Sequence, residues 1–224
     1  MSQLLIIIGA SGHGKVVADV AALLGYSDIA FLDGNPFIKT CGGYPVIGLD
    51  SEADNIEGDL FIAVGNSRIR QHLMDKHNHR HFPVLIHPNA VVAHDVQIEA
   101  GSVIMAGVVI NTSVKIGRGV IVNTASSIDH DCEIEDFSHI AVGAHLAGAV
   151  YVGAGTWIGA GSVISNNVNI CEACTIGAGA VVIKDIKIPG TYVGVPAKMI
   201  SKPNLTWGGY SLALSYQLSE RRAA

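Results

Sequence analysis

The chain has 224 residues, of which 49% are hydrophobic, 15% charged and 6% aromatic, and its formal net charge is −5. An average soluble domain is about 25% charged, so this is a soluble, strand-rich chain: 50 residues are Ile or Val and 26 are Gly. That balance excludes a disordered segment. It offers no basic stripe for nucleic acid and no run of about 20 apolar residues to insert in a membrane.

The first aliphatic run, Leu4 to Ile8, stops at Gly9 and lacks the basic flank and cleavage site of a signal peptide, so it reads as a strand of a cytoplasmic protein. Then come Gly9-Ala-Ser-Gly-His-Gly14, Lys15 to Leu24 with apolar residues at helical spacing, and a second strand, Ile29-Ala-Phe-Leu-Asp33. Such a βαβ unit sets Gly-rich backbone and a helix N-terminus against phosphate oxygens, and an acid ending the second strand accepts from ribose hydroxyls or a base edge. Asp33 lies 24 residues after Gly9, near the offset for that role, but Ser11 replaces the middle Gly of G-x-G-x-x-G. On these residues alone the turn is equally a tight βαβ corner, and Asp33 equally a strand-end cap.

A further strand, Leu60 to Val64, runs into Gly65-Asn-Ser-Arg68, again at a strand end where open parallel sheets bind ligands. Residues 1–84 are therefore expected to form a small Rossmann-like α/β domain that binds a nucleotide. The cluster His77-Asn-His-Arg-His81 reads as a solvated helix end rather than a metal site.

From Val92 to Ile188 an aliphatic residue occupies every sixth position, seventeen times in succession, often with Gly directly after it and a small residue at the third position. A hexad is too short for a helical repeat and fits one short strand plus a tight turn, with the aliphatic pointing inward. Coils stacked about 4.8 Å apart then bury a ladder of Ile and Val. The pattern resembles that of the hexapeptide acyltransferases, in which three hexads make one triangular coil, and the resemblance implies between five and six coils for the seventeen hexads, within residues 85–200. The four Cys are too few and too irregular for a disulfide framework, and Cys171-Glu-Ala-Cys174, lying inside the repeat, reads as packing.

Both halves together resemble the bacterial sugar acetyltransferases of the PglD and NeuD type. The residues that carry the resemblance are Gly9 to Gly14, Phe31-Leu-Asp33, Ala63-Val-Gly-Asn66 with Arg70, Leu85-Ile-His-Pro88, Val122-Asn-Thr124, Asp129-His-Asp-Cys132, Phe137-Ser-His139 and Gly194-Val-Pro-Ala-Lys198. The resemblance implies an α/β nucleotide-sugar domain followed by a left-handed parallel β-helix, assembled as a homotrimer with sites between subunits. It implies N-acetylation, by acetyl-CoA and without a metal, of the 4-amino group of a UDP-linked 4-amino-4,6-dideoxy sugar. GDP-perosamine N-acetylation and sialic acid O-acetylation are the alternatives within the family. Carried over position by position, it makes His130 the general base and Asp131, where the family members closest in pattern carry Glu, its supporting acid. It places His139 by the acetyl thioester and main-chain groups of Gly148, Ala160 and Ala178 along the CoA. On the sugar-nucleotide side it marks Ser11, Gly12, His13, Asp33, Gly34, Gly65 and Asn66.

The chemistry suits these residue types. An amine attacking a thioester must lose a proton, and a His assisted by a neighbouring carboxylate accepts it near neutral pH. A zinc hydrase is the rival enzyme: His94 and His130 stand 36 residues, or two coils, apart, but the third position expected, five after His130, is Glu135. An NAD-binding module is the rival for the first domain, and Ser11 and the absence of a second mononucleotide half argue against it. Beyond residue 200, Trp207, Tyr210, Leu214 and Leu218 fall at approximate helical spacing in a tail, 201–224, to which no role is assigned.

Overall fold

The structure, a computed structural model, describes residues 4–201 together with the backbone of 206–207 and 210–211. The first half contains β1 (Leu4–Ile8), α1 (Gly12–Leu23), β2 (Asp28–Leu32), β3 (Thr40–Cys41), β4 (Tyr44–Gly48), β5 (Asp59–Ile62) and α2 (Ser67–Lys76). Its sheet has the order β3-β4-β2-β1-β5, parallel throughout except for the β3–β4 hairpin. β1 and the edge strand β5 beside it are near-continuously aliphatic because both of their faces are covered, and Leu5, Ile6, Ile7 and Leu60 have no exposed surface. Gly14 has a steric reason: a Cβ there would stand 2.1 Å from the Gly9 carbonyl oxygen, so only Gly lets α1 start so close to the end of β1.

The second half is a left-handed parallel β-helix. Two-residue rungs begin at Leu85–Ile86 and recur in six-residue steps to Val181–Val182, each paired in register with the rung eighteen residues away. The chain meets three faces in turn. The first carries Val103–Ile104, Ile121–Val122, His139–Ile140 and Trp157–Ile158; the second, Val109–Ile110, Ser127–Ile128 and His145–Leu146; the third, Lys115–Ile116, Glu133–Ile134 and Tyr151–Val152. The second residue of each rung points inward, which is why Ile104, Val122, Ile140, Ile158 and Ile176 are fully buried.

Between rungs the chain turns at a residue with φ near +60°. Such a residue recurs at every sixth position from Gly101 to Gly179, and half of these positions are filled by side chains, among them Asp131 and Phe137.

The aliphatic ladder differs from its sequence pattern at both ends. It starts one hexad earlier, at Ile86, and after Val182 the step shortens, so that Ile186 bridges Ile170 and Tyr192 pairs with Ile176. The reason is local. Asp185 Oδ1 accepts the Asn169 N–H at 3.0 Å, replacing the bond a regular rung would make, and the chain crosses the corner two residues early. Ile188, in phase with the repeat, is left 59% exposed. Lys198–Ser201 then folds back antiparallel on Thr191–Val193. In the tail, Thr206–Trp207 pairs with Tyr210–Ser211 as a short antiparallel hairpin, in place of helical spacing through Trp207 and Tyr210; Leu214 and Leu218 lie outside the described residues.

The α/β domain covers the first face. Outward residues there, Val103 and Ile121, are as buried as inward ones, whereas Val91, Val109 and Val163 on the second face stay exposed. Replacing Ile158 by Ala should cost about 2–5 kcal/mol in urea unfolding, because it opens a cavity in a stacked column. The same change at Ile188 should cost less than about 0.5 kcal/mol.

Candidate active site

The Gly-rich turn delivers bare backbone to the C-terminal edge of the sheet. Ser11 is the N-cap of α1, yet its side chain makes no capping bond, which leaves the helix N-terminal N–H groups without a side-chain partner. Gly12 and Gly65 have ordinary negative-side backbone angles, and a Cβ at either would meet nothing within 4 Å. The fold therefore does not require Gly at these two positions; what they provide is open space against the backbone at the ends of β1 and β5. Gly34 is nearly as open, with Asp50 Oδ2 the nearest atom at 3.8 Å from such a Cβ.

Asp33 acts as a brace: Oδ2 accepts from the Ala10 N–H at 2.8 Å and Oδ1 from the Asn35 N–H at 2.8 Å, tying the Gly-rich turn to the loop after β2. Asn66 caps α2, its Oδ1 accepting from the Arg68 and Ile69 N–H groups at 3.1 Å each. Each Asp33 carboxylate oxygen keeps lone-pair capacity for a ligand, whereas both lone pairs of Asn66 Oδ1 are taken by the helix.

His13, in the first turn of α1, and His139, on the first face of the solenoid, are held neutral at one junction. Burial first, then the charge of Arg70, lowers the His13 pKa to about 4. Burial, Arg70 and His13 lower that of His139 to about 3. Asn123 orients His139. Its Oδ1 accepts from the Thr124 N–H at 2.8 Å, so its amide nitrogen donates to His139 Nε2 at 3.1 Å and the imidazole proton sits on Nδ1. That Nδ1 and the Nε2 of His13 are buried and have no hydrogen-bond partner among the described residues. The His139 ring lies 4.6 Å from that of Trp157. A solvent-facing edge is the reading the repeat suggests for His139 and His145 alike. His145 is exposed, but His139 is 8% exposed because its face is the one the α/β domain covers.

His130 occupies a different environment, on the corner between the second and third faces. Its Nδ1 lies 2.7 Å from Asp131 Oδ2, and its main-chain N–H donates to Asp129 Oδ1 at 2.8 Å. Asp131 takes the left-handed corner position, φ 59°, where Asp is tolerated better than a longer or branched side chain. This conformation turns its carboxylate back onto the preceding imidazole. The hydrogen bond that His130 donates to Asp131 and then the charge of Asp129 raise the His130 pKa. The ring lies against Gly148 one coil above, where a Cβ would stand 2.6 Å from Nε2.

His130, Gly148, Ala160 and Ala178 all follow an inward aliphatic by two residues and so share one corner position. At Gly148, Ala160 and Ala178 the main-chain N–H has no protein acceptor among the described residues. The chain does not bring all these positions together. His130 and Gly148 stand on the corner opposite the first face, whereas His139, Ala160 and Ala178 belong to the first face and its edge.

Arg70 and Asn123 belong to the sequence motifs without an assigned role. Arg70 had a readable signal, a cation in the buried stripe Arg70, Leu73, Met74 of α2. The His77 cluster is less solvated than its composition suggests: His77 is fully buried with Nδ1 2.6 Å from Asp54. Cys174 fills the inward corner column of Ser102, Ser138 and Thr156, with its Sγ 3.5 Å from that of Cys171. Among the described residues no three His, Cys, Asp or Glu side chains converge as a metal site.

The PglD N-terminal domain model matches residues 4–77, and the bacterial transferase hexapeptide model matches 82–112. The acetyltransferase domain of PglB from Neisseria gonorrhoeae, solved in complex with acetyl coenzyme A, is 41% identical with a TM-score of 0.86, over 89% of this chain and 100% of that one. The chain belongs to the PglD-type sugar acetyltransferases. PerB from Caulobacter crescentus, solved with CoA and GDP-perosamine, is 35% identical with a TM-score of 0.82, covering 88% of this chain and 96% of that one. GDP-perosamine N-acetyltransferase of Escherichia coli O157:H7 is 32% identical over 120 residues, 52% of this chain and 54% of that relative, so the match spans about half the length of the curated protein.

The acetyltransferase thus holds its imidazoles in opposite states. In an NMR pH titration His130 should titrate above its ordinary value of 6.5, while His13 and His139 stay neutral down to about pH 5. A lowered His pKa means that the unfolded chain binds more protons between pH 6.5 and about 4. Stability should therefore fall as pH drops through that window.

Proposed function

We propose that this acetyltransferase moves the acetyl group of acetyl-CoA onto the 4-amino group of a UDP-linked 4-amino-4,6-dideoxy sugar, as a cytoplasmic homotrimer serving bacterial glycan synthesis. The observation that carries the reading is the 41% identity, over nearly the whole α/β-plus-solenoid chain, to a PglB acetyltransferase domain that holds acetyl coenzyme A. The UDP-linked acceptor follows from the PglD-type resemblance. GDP-perosamine is the second acceptor to test, since PerB is solved with it.

The chemistry follows from the two imidazole environments. With Nδ1–H donated to Asp131 Oδ2, His130 presents the Nε2 lone pair. The sugar amine attacks the thioester carbonyl, its nitrogen forms the amide bond, its proton passes to His130 Nε2, and as the C–S bond breaks the same proton is handed to the leaving sulfur, so that CoA departs as the thiol and the imidazole returns to neutral. The developing oxyanion needs a fixed donor, and one main-chain N–H is worth roughly 3 kcal/mol there. Gly148 supplies it in this reading, supported by its position one coil above His130 and by a main-chain N–H with no protein acceptor among the described residues. The bare backbone at Gly12 and Gly65 with the N-terminus of α1 receives the nucleoside diphosphate, and the orphaned His139 Nδ1–H faces the acetyl donor.

A site using both His130 and His139 requires a second copy, because they stand on opposite sides of one solenoid. The corner of one subunit set against the first-face edge of its neighbour unites them, and three copies close the ring. The exposed Val91, Val109 and Val163 supply apolar surface for that contact.

Thiol release from acetyl-CoA over a panel of UDP- and GDP-linked 4-amino sugars tests the reading; no release with any of them overturns it. His130→Ala should lower kcat by about a hundredfold or more. Asp131→Asn lowers the His130 pKa, so the acidic limb of the rate profile should move to lower pH as the maximum falls. Mixing inactive His130→Ala and His139→Ala chains, then allowing subunit exchange, should restore part of the activity; a site contained in one chain would restore none.

A further inference from the structure

We propose that Arg70 is a positioning residue, locking the Val64–Gly65 turn of the nucleotide domain to two corners of the solenoid and thereby setting the acceptor sugar against the His139 rung. The proposal rests on the acetyl transfer inferred above, and adds to it the residue that holds the two halves of the site in register.

Arg70 is 1% exposed, and no carboxylate lies within ion-pair distance of it among the described residues. Its guanidinium is satisfied instead by four carbonyls from two parts of the chain. Nη1 donates to the Val64 and Gly65 oxygens at 2.7 and 3.0 Å, Nε to that of Gly119 at 2.7 Å, and Nη2 to that of Phe137 at 2.6 Å. Burying an unpaired cation is costly, and an apolar side chain of similar volume often serves stability equally well or better. What an apolar residue lacks is the rigid fork, whose planar donors fix the relative position of the groups they bridge.

Both ends of this bridge border the site. On the nucleotide side, Gly65 is the open backbone at the end of β5, and the next residue, Asn66, caps the helix that carries Arg70. On the solenoid side, Gly119 and Phe137 are left-handed corners of successive coils, and Phe137 precedes His139 by two residues. A buried aromatic at φ 58° is strained and must be held there by its surroundings. Arg70 binds its carbonyl, the Arg118 guanidinium lies 4.9 Å over its ring, and the ring fills the space above Gly119, where a Cβ would stand 2.7 Å from it. The same buried charge helps keep His13 and His139 neutral across the junction.

Arg70→Met and Arg70→Lys test this in the full-length protein, with folded state checked by circular dichroism at the assay temperature. In Arg70→Met, kcat should fall by about thirtyfold or more while the dissociation constant of CoA stays within about twofold, since a small misplacement of reacting groups is that costly. Arg70→Lys, which keeps the charge but not the fork, should recover part of kcat. If Arg70→Met does not fold, Arg70→Lys carries the test through the same split between kcat and CoA affinity. A folded variant whose kcat stays within about threefold of wild type overturns the proposal. Hydrogen exchange gives a readout that needs no substrate: amides at 64–66 and at 119 and 137 should exchange about tenfold faster in the variant, with rungs remote from the junction unchanged. Unchanged exchange on either side also overturns it. Should wild type acetylate no amino-sugar nucleotide while exchange rises on both sides, the acceptor assignment fails and the tie between the halves stands.

Discussion

Each coil turns three times at a residue held near φ +60°, and this one backbone requirement, repeated from Gly101 to Gly179, places the solenoid residues of the candidate site. Because the turn always falls three residues after an inward aliphatic, the residue before it always presents its main-chain N–H outward. His130, Gly148, Ala160 and Ala178 share that position. The left-handed angle also explains why an Asp supports His130. At φ 59° a short carboxylate folds back to reach the neighbouring Nδ1 at 2.7 Å without a long side chain to bridge the gap.

The environments of the imidazoles differ for a physical reason. His130 stands on an exposed corner between two carboxylates and is pushed toward the protonated form. His13, in α1, and His139, on the face that the α/β domain covers, lie buried near a cation whose partners among the described residues are carbonyls, and both are pushed toward neutrality. One group is thereby suited to take a proton and the others to orient without exchanging one. Arg70 contributes to the neutral pair, since its charge lowers both of their pKa values and its guanidinium binds the carbonyls at the junction.

Much of the solenoid was legible because its contacts are periodic. An aliphatic every sixth residue is a statement about which side chains stack, and the pairing of Ile104 with Val122 and Val122 with Ile140 follows directly. The pattern misleads where a polar side chain competes with the ladder. Asp185 captures the Asn169 N–H, the step shortens, and Ile188 keeps its phase in sequence but loses its place in the core. Asp33 and Asn66 show the same limit within the candidate site. Their types fit ligand contacts, yet in the fold both first satisfy neighbouring backbone N–H groups.

By itself the sequence determined the two-part architecture, the strand–turn–helix at the N-terminus, the inward ladder and the His130–Asp131 pair, because each depends on residues close in the chain or at a constant offset. The tertiary structure alone decided that the first face is covered, that His139 is buried while His145 is not, and that Arg70 spans from Val64 to Phe137. Docking of one domain on another depends on surfaces assembled from distant segments, and no local spacing records which face of a regular solenoid that docking selects.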